Sequence, residues 1–477
     1  MAAHAASPTG PGTIHLLSFA APIWLSGLLL LPVIRWLHRG GRQRRAIPVS
    51  RLELWQRSAA SSPAAGERRP PDPAWRRRAL LTALLFVALS DPQLPEQRTR
   101  ITLWIDDSLS MLTREGPSTR LVEGLARARS LLAELPSSGL AEDRVALLHS
   151  QLTALECNAR RLAGEPVGFV DEVKAYFGVD ITLGDESDYA AAHEELAELL
   201  PGAGPLAERY AAYRTGDECP PDRLDGLVGD LSSALRDVVR TGYGLPEGET
   251  VEYQIVADEP WSGFNYYLGG FRSRVAINAD LPHRLSQLPH LVAHEAYPGH
   301  HTEHCRKERG LVGAGGRLEH TVFLVNTPEC LIAEGLADLG VPASIGAGWG
   351  SWAGEIYADL KLGFDGELAE RVSAVTQRLE RCRQDAALLL HDRGASEDEV
   401  VAYLQRWMLV PEPRARQSLR FLSHPLWRAY TSTYVEGYRL LSAWLDARPA
   451  GQPLGDRFVR LLDEPLTPGR IAAELGV

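Results

Sequence analysis

Apolar positions along this chain fall into three textures. Residues 16–34, LLSFAAPIWLSGLLLLPVI, carry no charge over 19 positions, about the length a helix needs to span a bilayer. Residues 79–90 are also apolar but only 12 long, so they predict either a second span or a buried helix. From residue 119 the pattern becomes amphipathic. Apolar residues at three-to-four spacing predict helices over 119–135, 141–164, 187–199, 203–214 and 222–242. Alternation over 250–257, with extended stretches at 264–268 and 272–278 and glycines between, predicts a small β element. Helical spacing resumes near 283 and runs almost to the end. The expected fold is mainly α with a small β element, preceded by one or two transmembrane helices and a short α/β fragment. The expected domains are 1–92, a membrane anchor region; 93–137, the α/β fragment; and 138–477, the helical domain.

Charge sets the expected topology. Twelve arginines lie between positions 35 and 78, separating the two apolar segments. The positive-inside rule puts that loop in the cytoplasm. If both segments span, the helical domain is extracytoplasmic; if only the first spans, it is cytoplasmic. The expectation is a chain anchored in a bacterial inner membrane with its large domain outside. A cleaved signal peptide fits less well, because residues 1–15 hold no Lys or Arg. The whole chain has a net charge of −11, which argues against nucleic acid as a partner. Five cysteines with no CxxC pair argue against a cysteine zinc site and a disulfide framework, and read as small buried apolar residues.

Two motifs carry chemistry. The first is ITLWID (101–106) followed by Asp106-Asp107-Ser108-Leu109-Ser110 and a helical stretch. An aspartate and two serines offer hard oxygen donors to magnesium. This strand, DxSxS, helix sequence resembles the opening of a von Willebrand factor A domain. Together with the paired apolar segments it resembles the N-terminal region of Bat-type membrane proteins. The resemblance covers about residues 16–135 and stops short of a whole A domain. It implies a magnesium site at Asp106, Ser108 and Ser110, and a non-enzymatic alternative in which that ion binds a partner's carboxylate.

The second motif is LVAHEAYPGHHTEH, residues 291–304. In a helical HExxH, two histidines one turn apart bind zinc and the glutamate deprotonates water. Here Pro298 stands four residues after His294, and the next histidines come six and seven after it. Seven residues of helix span roughly 10.5 Å, too far for two ligands of one ion. Pro298 and Gly299 predict a local bulge that brings His300 back toward His294, with His301 the alternative. A third ligand is expected downstream. LIAEGLADL (331–339) offers Glu334 as ligand, with Asp338 one turn on to orient a histidine. His320 reads as a packing or supporting residue and His304 as solvent-facing. Tyr434, Tyr438 and Arg439 are candidates to stabilise an oxyanion. Arg272, Arg274 and Asn278 are candidates to bind substrate from an edge strand.

This constellation resembles the domain of unknown function 885 family, among the gluzincin-like metallopeptidases, whose signature is HExxPGHH with a later EG. The likeness includes LTALECNARRLAGE (152–165), PWSGFNYYLGGFRSRVAINADLP (260–282), LEHTVFLVNTPECLIAEGLADL (318–339) and YVEGYRLL (434–441), and covers roughly residues 140–477. It departs from the family at its front, where further helical sequence gives way to the membrane and A-domain-like segment. The resemblance implies one zinc per chain on His294, His300 and Glu334, with Glu295 as general base, acting on a peptide or another small amide. Hydrolysis of a non-peptide amide or ester is the nearest alternative, because such a site does not itself choose the bond.

Overall fold

The structure is a computed structural model describing residues 118–259 and 261–476, together with 18–19, 92–93 and 114–115. The chain separates into two units, residues 1–105 and 106–477. In the first, the described part is an antiparallel pair, Ser18–Phe19 with Pro92–Gln93. The apolar segments 16–34 and 79–90 and the DxSxS motif fall outside the described residues, apart from Ser18 and Phe19. Among the described residues, no helix is long and apolar enough to cross a membrane.

The second unit is mainly helical with one three-stranded sheet. Its first described helix, Arg120–Glu134, packs on Glu142–Leu162, and Arg129 pairs with Glu156 at 2.9 Å. The boundary expected after residue 137 therefore falls inside one packed helix pair. Helix α1 (Leu224–Gly242) buries Leu224, Leu227, Val228, Leu231, Leu235 and Val239. That three-and-four spacing is why the segment is a helix with one apolar face. The face lies on the sheet, whose inward residues Val275 and Ile277 are fully buried in the same core.

The sheet runs β1 (Thr250–Val256), β2 (Gly263–Tyr267) and β3 (Arg272–Asn278) in sequence, but β3 is central. β1 pairs with it in parallel and β2 antiparallel. The expectation that residues 272–278 form an edge strand is therefore corrected: both sides of β3 are paired, and β2 is an edge.

Three further helices and the edge strand build the site. Helix α2 (Leu288–Glu295) ends where the sequence suggested only a bulge. Ala296–Gly299 form a break, and α3 (His300–Lys307) starts afresh. Gly299 closes the break by donating its N–H to Ala293 O at 2.8 Å. A Cβ at Gly299 would come within 2.0 Å of His294 O, so no other residue fits there. Helix α4 (Pro328–Asp338) starts at Thr327, whose hydroxyl accepts from Cys330 N, with Pro328 at its first turn. Helix α5 (Thr431–Asp446) crosses α4 at backbone contact. A Cβ on Gly335 would lie 2.5 Å from Gly437 C, and one on Gly437 2.6 Å from Leu331 O. The EG pairs at 334–335 and 436–437 are thus two halves of one close helix crossing.

Gly335→Ala should cost about 3 kcal/mol or more, since the obstruction is backbone rather than a flexible side chain. Gly354→Ala is the control. Its Cβ would meet only Phe364 Cδ1 at 3.8 Å, and alanine favours the helix. Thermal denaturation of both should show a large loss in the first and little change or a gain in the second. Equal melting temperatures would overturn the packing argument.

Candidate metal centre

His294 projects from the last turn of α2, His300 opens α3, and Glu334 lies on α4. Their donor atoms all lie within 4.8 Å of one another. His294 Nε2 and His300 Nε2 are 3.1 Å apart. Glu334 Oε2 is 3.3 Å from His294 Nε2, and Oε1 is 3.7 Å from His300 Nε2. Ligands at about 2.05 Å on a tetrahedral ion stand about 3.3 Å from each other, so the three separations are of the right size. The two rings stand perpendicular, at 89°. The helix break makes this possible, because it replaces the long axial step of a continuous helix with a turn.

Hydrogen bonding decides which atoms are free to coordinate. His294 Nδ1 lies 2.9 Å from Asp338 Oδ1. A carboxylate accepts, so Nδ1 carries the proton and the lone pair of Nε2 faces the cluster. Tyr430 donates its hydroxyl to Glu334 Oε1 at 2.8 Å. Glu334 Oε2 is buried and makes no hydrogen bond. A neutral His294 would therefore present a lone pair to an unsatisfied carboxylate oxygen, an arrangement that demands a cation between them. The donor set of two imidazoles and a carboxylate is that of a catalytic zinc site. The residues fit the ion.

Electrostatics agree. Burial opposes charging His294, but Asp338 and Glu334 outweigh it and hold the ring well above its ordinary pKa. Burial drives His300 down to about 3. Burial also opposes ionisation of Glu334, yet the two histidines and Tyr430 hold it at about 2. One positive charge is thus drawn to the centre of the cluster. A metal ion there would displace the proton.

Glu295 follows His294 and is 6% exposed. Burial pushes its carboxyl up to about 7; a cation held beside it would pull the value down again. Asn265 of β2 donates to its backbone oxygen at 2.5 Å. A Cβ at Gly263 would sit 3.2 Å from Glu295 Oε1. The edge strand β2 therefore passes this carboxylate at Gly263.

Several expected residues lie elsewhere. His301, the alternative ligand, is fully buried on another side of α3, because adjacent helical residues point about 100° apart. Its Nε2 meets Glu249 Oε2 at 3.1 Å and its Nδ1 meets Ser273 Oγ at 2.9 Å. Tyr297 and Arg236 bond the same Glu249, so this is a buried brace joining α1, α3 and the sheet. Arg439 is held by Glu436 at 2.7 Å and has no partner in the cluster. Five residues of helix separate it from Tyr434, which turns it about 140° away. Tyr434 does reach the site, its ring 6.4 Å from that of His294. Tyr438, one turn further on, packs against the hydrophobic core. His320 bonds Glu329 at 3.3 Å rather than a ligand histidine. His304 is half-buried between aromatic rings and does not face open solvent. Asn278 is buried and spends its amide on Glu259 O and Trp261 O, at 2.8 and 3.0 Å. That is a turn-closing role, not substrate binding. Arg274 lies over the Tyr266 ring at 4.7 Å, and Arg272 is exposed. All five cysteines are buried and free.

The sequence reading missed Tyr430. Its one visible signal is its place four residues before Tyr434, hence on the same side of the helix start. Tyr430→Phe removes the hydrogen bond that fixes Glu334. Zinc affinity should fall about 10–100-fold, the usual effect of losing an outer partner of a ligand, with the melting temperature of the metal-free protein little changed. Competition with a chromophoric chelator measures this; unchanged affinity would mean that packing alone positions Glu334.

No family model matches the chain, and no curated protein matches it. The solved structures to which it is similar include two, each described as a "putative lipoprotein", one from Colwellia psychrerythraea and one of unknown function from Shewanella oneidensis. Each is 14% identical with a TM-score of 0.46; the match covers 75% of this chain, and 69% and 72% of theirs respectively.

Proposed function

We propose that residues 138–477 form a zinc-dependent metallopeptidase of the domain of unknown function 885 family. One observation carries the reading. Glu334 Oε2, buried and without a hydrogen bond, lies 3.3 Å from His294 Nε2, on which His300 Nε2 converges at 3.1 Å, and a buried glutamate adjoins them. Zinc held by His294, His300 and Glu334 would act as a Lewis acid toward the scissile carbonyl and toward water. Asp338 keeps His294 in the tautomer that coordinates, and Tyr430 leaves Glu334 Oε2 free. Glu295 takes the proton from the attacking water and passes it to the leaving amine. β2 has an unpaired edge beside Glu295, so an extended peptide can add as a further strand with its carbonyl at the cluster. Tyr434, whose ring borders that of His294, would donate to the developing oxyanion.

The test is hydrolysis of a mixed peptide library by the zinc-loaded chain, with and without a chelator, analysed by mass spectrometry. Cleavage that disappears on chelation and returns with zinc supports the reading. A zinc-loaded chain that cleaves esters or other amides but no peptide would move the substrate class.

The domain is proposed to face away from the cytoplasm, on the strength of the twelve arginines between two apolar segments. A phosphatase reporter fused after residue 140 should then be active, and a cytoplasm-dependent fluorescent reporter dark. The reverse pattern would mean that residues 79–90 do not span.

A further inference from the structure

The exposed apolar surface is unevenly distributed. Among the described residues twelve large hydrophobic side chains are exposed, and eight of them fall in three segments, 264–268, 318–325 and 421–434. These segments are far apart in sequence, yet each places one ring against His294 or against His304, one turn beyond His300. Tyr267, at the end of β2, stacks on His304 with centroids 4.8 Å apart and planes at 22°. Phe323 meets the same ring edge-on at 5.6 Å. His304 is one turn beyond His300 on α3, so this wall begins beside a ligand. Across the cluster, Tyr434 lies 5.6 Å from Tyr430 and borders His294. Asn326, the residue after the second segment, donates to Leu426 O at 3.1 Å and so ties it to the third.

The wall is fixed before anything binds. Glu308 accepts from the Tyr267 hydroxyl and, at 3.1 Å, from Gly270 N, which clamps the β2–β3 turn to the residues after α3. Burial lowers the His304 pKa to about 4, so at neutral pH its ring is an uncharged aromatic face. Apolar patches concentrated in one place on a water-facing surface mark binding sites. A prearranged patch loses little side-chain entropy on binding. The chain's net charge of −11 disfavours an anionic lipid surface as occupant. Direct continuity with the ligand residues favours a substrate side chain.

We infer that the wall of Tyr267, His304 and Phe323 is a specificity subsite for a large apolar side chain next to the scissile bond, so that the substrates carry aromatic or long aliphatic residues there. The inference rests on the hydrolase reading for its chemistry, but the subsite can be tested without turnover.

The experiment uses the zinc-loaded full chain, as wild type, Phe323→Ser and Phe323→Leu. Phe323 is 38% exposed, so the change does not empty the core. One arm measures kcat/KM on peptides differing at a single position as Phe, Leu, Ala or Asp. The other measures Kd for hydroxamates carrying a benzyl or a methyl group. Wild type should prefer Phe or Leu over Ala by about 10-fold or more. Phe323→Ser should bring that ratio to within about twofold of unity, and Phe323→Leu should restore most of it. Hydrolysis with no apolar preference overturns the subsite and leaves the hydrolase reading intact. No hydrolysis of any peptide overturns the peptidase reading, and the hydroxamates then decide. Tighter benzyl binding that Phe323→Ser abolishes supports the subsite, and equal affinities overturn it. Equal affinities together with binding to phosphatidylcholine vesicles that Phe323→Ser abolishes would assign the patch to lipid instead.

Discussion

Purified His300→Ala should retain almost no zinc, whereas His301→Ala should retain most of it and be less stable. The two residues are neighbours in a motif where either could be written as the ligand. Their surroundings separate them. His300 Nε2 is 3.1 Å from His294 Nε2 and 3.7 Å from Glu334 Oε1. Removing it leaves two protein ligands where a catalytic zinc needs three. His301 spends both ring nitrogens on Ser273 and Glu249. Removing it strips one donor from a buried carboxylate and should cost about 1–3 kcal/mol of stability. Elemental analysis should give about one zinc per wild-type chain, close to none for His300→Ala, and nearly wild-type content for His301→Ala at a lower melting temperature. Equal zinc retention in the two variants would overturn the ligand assignment. Near-zero zinc in the wild type would sink the centre altogether.

Local pattern carried much of the fold because periodicity is a local property. The residues of α1 repeat at three and four, and its helix was readable from that alone. The strand Arg272–Asn278 was also readable at both ends. Its central position was not, since sheet order is set by pairing with residues 250–256 and 263–267 and nothing in seven residues encodes it. The nine-residue helix Phe169–Phe177 escaped notice because it is short: its buried Phe169, Val173, Tyr176 and Phe177 give little more than two turns of pattern. At the site the residue types were legible, but the means of bringing them together were not. Pro298 and Gly299 signalled a disturbance, but whether they bulge or break the helix depends on Gly299 packing against the carbonyls of Ala293 and His294. Helix geometry turns His301 away from His300, but the partner that holds it there, Glu249, lies 52 residues earlier. Gly335 reads as a helix-weakening residue until Gly437 is placed against it.

Glu295→Gln should keep the zinc and the fold and lose about 10²–10⁴-fold in activity, the usual contribution of a positioned acid–base group. The structure separates this residue from the ligands next to it. Glu295 is not among the three residues whose donor atoms converge, and its carboxylate lies against Gly263 of the edge strand. The amide is nearly isosteric, so neither the α2 terminus nor the Asn265 contact to the backbone need change. What the amide cannot do is accept a proton. The matched variant, Glu334→Gln, should fail differently. It replaces the buried carboxylate that faces both histidines with a neutral, weaker ligand, so zinc should be lost first and activity with it. Zinc content and peptide-hydrolysis rate, measured together on both variants, distinguish the roles. Excess zinc should partly rescue Glu334→Gln and leave Glu295→Gln unchanged. Full activity in Glu295→Gln would show that the proton moves through another group. Loss of zinc from Glu295→Gln would place its carboxylate among the ligands.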